Sequence, residues 1–126
     1  MIAGSMDIAE GAATVIASAA LMPRATITAM QIDGSSAPKG AVMISPLPFL
    51  IGRTEGAFII QNENISRKHA QITYDEAQRA YFITDLNSSN GTRLNSQRLV
   101  PGQAARLSNG VVIGLGPSIT VRFDVG

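Results

Sequence analysis

Ala70-Gln71-Ile72-Thr73-Tyr74, the polar break Asp75-Glu76-Ala77-Gln78-Arg79, and Tyr81-Phe82-Ile83-Thr84-Asp85-Leu86 together read as one β-hairpin. Ala70, Ile72 and Tyr74 fall on one side, with His69, Gln71 and Thr73 on the other, the period of two that marks a half-buried strand. The polar break supplies the turn, and the second run returns antiparallel. Working outward toward the C-terminus, Thr92-Arg93-Leu94-Asn95 and Arg98-Leu99-Val100 are short strands around a tight connection. Pro101-Gly102 and Ser108-Asn109-Gly110 are turns flanking 105–107, and 111–113 follows. The clearest strand of all is the last, where Ile119, Val121, Phe123 and Val125 alternate with Thr120, Arg122 and Asp124. Toward the N-terminus, 25–32, 41–44, 49–51 and 57–60 are further apolar runs, with Pro46 and Pro48 marking an edge or a connection. The expectation is all-β: a two-sheet β-sandwich of about eleven short, mostly antiparallel strands.

Composition bounds the function classes. The chain has 126 residues, 45% of them hydrophobic and 15% charged, room for one domain with a core. Ten basic residues against nine acidic leave a net charge of +1 with no basic tract, so bulk charge gives no grip on nucleic acid. Eight of the ten basic residues are Arg, a planar fork suited to phosphate or carboxylate, although a GC-rich coding sequence produces the same bias. The chain contains no Cys and one His, which removes disulfides, a cysteine nucleophile and any ordinary structural zinc site. No cofactor is expected. No run reaches the roughly 18 apolar residues that span a bilayer. The chain is read as soluble and cytoplasmic, without a membrane partner.

Residues 1–24 differ from the rest in being rich in Ala, Ser and Met and are treated as an extension, with the domain proper at 25–126. Gly4-Ser5-Met6 looks like a cloning scar. Asp7 and Glu10 have capping-box spacing, and Ile8, Ala12, Val15, Ala19 and Met22 recur at helical intervals before Pro23. A short helix, the tail of a preceding domain and a disordered linker all fit this pattern.

Three polar pieces sit between the strand-like runs: Gly52-Arg53, Ser66-Arg67-Lys68-His69, and Asn87-Ser88-Ser89-Asn90-Gly91-Thr92. Arginine, hydroxyls, side-chain amides and loop backbone are what a protein assembles around a phosphate. Each piece has a bland alternative. Arg53 pairs on the surface with Glu55, Ser66 caps a turn, and 87–92 is a plain tight loop. A Ser66 or Ser89, His69, Asp85 triad is the enzymatic alternative, but no Gly-x-Ser-x-Gly elbow accompanies it.

In order and spacing these pieces resemble the forkhead-associated (FHA) domain, the phosphothreonine-binding β-sandwich of FHA/SMAD-like fold. The resemblance spans roughly residues 25–125 and includes the closing segment Leu107-Ser108-Asn109-Gly110-Val111-Val112-Ile113-Gly114. It implies that Arg53, Ser66, Arg67, Ser89 and Asn90 bind phosphothreonine, with Ser66 offering hydroxyl and backbone N–H and Asn90 holding the peptide main chain. It implies that Gly52, His69 and Gly91 support the site, His69 as a brace rather than a proton carrier. Asn64 and Arg93 are candidates for peptide specificity, Arg93 favouring an acidic residue beyond the phosphothreonine. The family pattern commonly has Thr where Ser89 stands, and the hydroxyl is kept.

The expected function is therefore non-catalytic recognition of a threonine-phosphorylated protein or peptide in signalling, the partner being a Ser/Thr kinase substrate or a neighbouring domain of the same chain. A phosphate-independent scaffold or oligomerisation domain is the alternative, motivated by the low-charge stretch 8–22. Catalysis through His69 ranks last.

Overall fold

The computed structural model describes residues 22–126, and the helical pattern expected before Met22 lies outside the described residues. The described residues form eleven strands: β1 (Ala25–Gln31), β2 (Ala41–Met43), β3 (Phe49–Gly52), β4 (Phe58–Ile59), β5 (Ala70–Asp75), β6 (Ala80–Asp85), β7 (Thr92–Leu94), β8 (Gln97–Arg98), β9 (Ala105–Arg106), β10 (Val112–Leu115) and β11 (Ile119–Val125). They make two sheets, one ordered β2-β1-β11-β10-β7-β8 and the other β4-β3-β5-β6-β9. The all-β sandwich expected from the alternation is what forms. Among the described residues no helix is long and apolar enough to cross a membrane.

The β5–β6 hairpin pairs Ala70 with Asp85 through to Asp75 with Ala80. Its turn is held locally: Asp75 Oδ1 accepts from the Ala77 N–H at 2.9 Å, and Oδ2 accepts from Gln78 Nε2 at 3.0 Å. Such side-chain-to-backbone bonds are why Asp opens turns. The alternating residues do face inward. Ile72 and Ile83 on one sheet and Ile119, Val121 and Phe123 on the other are fully buried. Phe49, Phe58, Ile27, Ile51, Ile113 and Leu115 are among the other side chains of this interior, each contributing about 1.5–3 kcal/mol by leaving water.

Two features of the pairing were not readable from local pattern. β11 sits between β1 and β10, so the last strand joins the first. β3 and β4 run parallel, with Ile51 opposite Phe58, whereas the other strand pairs among the described residues are antiparallel. Residues 44–48, with both prolines, form a connection rather than a strand.

The register decides which loops meet. Ile51 pairs with Ala70 and Ala70 with Asp85, so the end of β3, the start of β5 and the end of β6 share one pole. Leu115 pairs with Thr92 and with Ile119, which brings the start of β7 and the β10–β11 turn to the same pole. Arg24 and Gly126, hydrogen-bonded to one another, lie at the opposite pole with the β5–β6 turn.

Candidate functional site

The polar pole is built on a close approach at Gly52. A Cβ there would stand 2.0 Å from the Arg67 carbonyl oxygen and 2.6 Å from that of Glu55. Only glycine lets the 66–67 backbone settle on the end of β3, where the Arg53 N–H donates to Ser66 O at 2.9 Å. The His69 N–H donates to Ile51 O at 2.8 Å one step further in. Segment 64–69 is thereby fixed to the sheet edge.

His69 ties this segment to the next loop. Its ring is fully buried, Nδ1 accepts from the Ser66 N–H at 3.1 Å, and Nε2 lies 3.0 Å from Gly91 O. Nδ1 can accept only if the proton is on Nε2, so the neutral Nε2–H tautomer donates to Gly91. Burial pushes the His69 pKa below its ordinary 6.5, opposed by the Gly91 carbonyl and by the nearby Asp85 carboxylate. Both ring nitrogens are committed to backbone, so neither is free to take a proton from a serine, and the triad alternative does not assemble. The Ser66 N–H is also spent inward, correcting the expectation that it reaches a phosphate; only the hydroxyl is left for that purpose.

A titration follows from this tautomer. Protonating Nδ1 would set it against the Ser66 N–H, donor against donor. The folded state therefore resists a proton that the unfolded chain binds near pH 6.5, and stability is expected to fall as pH drops below that value. The slope approaches at most about 1.4 kcal/mol per pH unit. With a single His in the chain, urea unfolding between pH 7.5 and 5 reads this directly. A flat profile over that range would contradict the assignment.

The 87–92 loop is organised by Asp85, whose carboxylate is buried. Its oxygens accept from the Ser88 N–H at 3.0 Å, the Ser88 hydroxyl at 2.5 Å and the Thr92 hydroxyl at 2.6 Å. Ser88 Oγ in turn accepts from the Gly91 N–H at 3.0 Å. Sequence reasoning missed Ser88 and gave Asp85 only a role in a triad; the signal was the Asp85-x-x-Ser88 spacing of a side-chain-closed turn. Asn87 and Gly91 take positive φ of 60° and 84°, which turns the loop back across the pole.

The loops then lock together. The Ser89 N–H donates to Ser66 Oγ at 3.0 Å, and Asn90 Nδ2 donates to Asn64 O at 2.9 Å. Asn64 is itself held by its N–H donating to Asn62 Oδ1 at 2.8 Å. Between the loops lies an open concavity of about 190 Å³ lined by Arg53, Glu63, Asn64, Ile65, Ser66, Arg67, Ser89 and Asn90. Five residues singled out for phosphate, with Asn64 beside them, are thus brought to one place. Glu55 pairs with Lys68 at 3.7 Å, not with Arg53, and among the described residues neither Arg53 nor Arg67 is in an ion pair. Arg93 is not brought there; it lines a separate hollow with Asn95, Ser96, Val112, Gly114 and Thr120. Among the described residues no group of three His, Asp or Glu is placed to hold a metal.

The sequence profile of the FHA domain matches residues 49–116. An FHA domain-containing protein of Arabidopsis thaliana is 46% identical over 68 residues, which are 52% of this chain and 17% of that protein. The FHA domain-containing protein FhaA of Mycobacterium tuberculosis is 40% identical over 76 residues, 59% of this chain and 14% of that protein. The chain therefore corresponds to under a fifth of either relative's length. Among solved structures, the FHA domain of an A. thaliana hypothetical protein superposes with a TM-score of 0.70 at 29% identity, covering 82% of this chain and 86% of that one. An FHA structure from a study of phosphothreonine-dependent FHA domain interactions gives 0.66 at 27%, covering 82% and 97%.

Proposed function

The chain belongs to the FHA domain family, a family of phosphopeptide-binding recognition modules, and from that premise we propose that it reads phosphothreonine on a partner protein and leaves it intact. One observation carries the reading. Arg53 and Arg67, neither of them in an ion pair among the described residues, line one concavity with Ser66, Ser89 and Asn90. A phosphothreonine brings about −1.5 to −2 charge and three acceptor oxygens, which need that kind of donor set. In this reading Arg53 and Arg67 neutralise the charge, and the Ser66 and Ser89 hydroxyls donate to phosphate oxygens. Asn90 offers its Oδ1 and second N–H to the peptide main chain, its first N–H being held by Asn64 O. Asn64 lies where it can meet residues flanking the phosphothreonine. Gly52, His69, Asp85 and Ser88 hold the donors in place before any ligand arrives, which lowers the ordering cost of binding.

The partner is a threonine-phosphorylated protein, either another chain or a neighbouring domain of the same one. Calorimetric titration of a phosphothreonine peptide library and its unphosphorylated counterparts tests the proposal. Phosphorylation is expected to raise affinity at least tenfold for the best sequences. Equal binding of the two sets would favour a phosphate-independent docking domain instead.

A further inference from the structure

Arg93 and Arg98 stand opposite each other on the antiparallel β7–β8 pair. Like charges in that arrangement repel, and among the described residues neither is in an ion pair. Bare backbone makes room for both. Arg98 Cζ, Nε and Nη2 lie 2.8–2.9 Å from where a Cβ on Gly91 would be, so the guanidinium rests flat on that glycine. The Arg93 guanidinium lies 2.6–3.0 Å from the corresponding point on Gly114. Arg93 Nη2 also donates to Gly116 O at 2.8 Å.

Gly91 and Gly116 are joined by the Gly116 N–H donating to Gly91 O at 3.1 Å, so the two cations approach one hydrogen-bonded backbone pair. That pair also underlies the concavity. A Cβ on Gly116 would come 3.2 Å from Asn64 O and 3.7 Å from Asn90 Cβ. One layer of backbone therefore separates the two arginines from the residues that line the candidate phosphate site. Sequence reasoning noticed Arg93 alone. With one of its donors given to Gly116, the exposed Arg98 supplies the freer fork.

We propose that Arg93 and Arg98 form a second anion subsite beside the phosphothreonine concavity. It takes a carboxylate or a second phosphate carried on the same partner segment, and it rests on the phosphothreonine reading above. Arginine suits both ligands because its planar donors match paired oxygens, and an anion here also relieves the Arg93–Arg98 repulsion.

Fluorescence anisotropy with labelled phosphothreonine peptides tests it. Peptides with neutral flanks are compared with peptides carrying one Glu, or one second phosphate, scanned over about five positions on each side. At one or two positions the anionic group is expected to tighten binding by about three- to tenfold, with the gain shrinking as salt is raised. The Glu and phosphate arms identify which anion the subsite takes. In Arg98→Gln the ratio of anionic to neutral affinity falls to near one, and in Arg93→Lys it falls partway. A ratio of one at every position in the unaltered protein, or a gain that survives Arg98→Gln, overturns the subsite and leaves phosphothreonine recognition standing. Indifference to the first phosphate as well overturns both.

Discussion

Replacing Gly52 with alanine is expected to destabilise the domain by about 3 kcal/mol, lowering Tm by roughly 12–24 °C. The new methyl would meet Arg67 O at 2.0 Å, Glu55 O at 2.6 Å and the Arg67 carbonyl carbon at 2.9 Å. All three are backbone atoms, so no side chain can swing aside. Relief requires segment 66–67 to lift from β3, which breaks the bond from the Arg53 N–H to Ser66 O. Ser66 then carries its hydroxyl away from Ser89, and peptide binding is lost together with stability. Gly110→Ala is the control: its φ is +82° with nothing within 4 Å, so it carries only the backbone penalty of about 1–2 kcal/mol. Thermal melts of the two variants separate close approach from backbone strain. Similar melting points would show that the contact at residue 52 is not what holds the loop.

Arg53→Ala is the largest expected effect on binding alone. A multidentate, charge-assisted contact to phosphate is worth about 1.5–3 kcal/mol, so affinity for the phosphothreonine peptide should fall by roughly tenfold to a hundredfold. Stability should move by no more than about 0.5 kcal/mol, because the fold uses the Arg53 backbone N–H and alanine keeps it. Arg53→Lys keeps the charge but not the fork and should fall between the two. Unchanged affinity in Arg53→Ala, with melting also unchanged, would remove Arg53 from the site and the central support from the proposed function.

The hairpin at 70–86 and the strand at 119–125 were legible because alternation is a local property and each inward residue is separately rewarded by burial. The candidate site was legible in part. Arg53, Ser66, Arg67, Ser89 and Asn90 are the residue types that bind phosphate, and they fall in loops. Ser88 and Ser89 are adjacent, chemically identical and set among turn formers. Nothing local says that Ser88 faces Asp85 and Ser89 lines the concavity. Arg98, on a two-residue edge strand, reads from sequence as an ordinary solvated charge.

The sequence by itself determined which segments are strands, which faces turn inward and which residue types stand at the polar pole, since period and composition act over a few residues. Only the tertiary structure decided how those polar groups are used. His69 takes the Ser66 N–H, Ser66 Oγ takes the Ser89 N–H, and Asn64 O takes one Asn90 N–H. Two of those bonds join loops 23 and 26 residues apart, and they form because sheet pairing brings β3, β5, β6 and β7 to one end. Which donors remain for a ligand is what is left after those internal bonds are made, and that remainder cannot be counted until the loops have met.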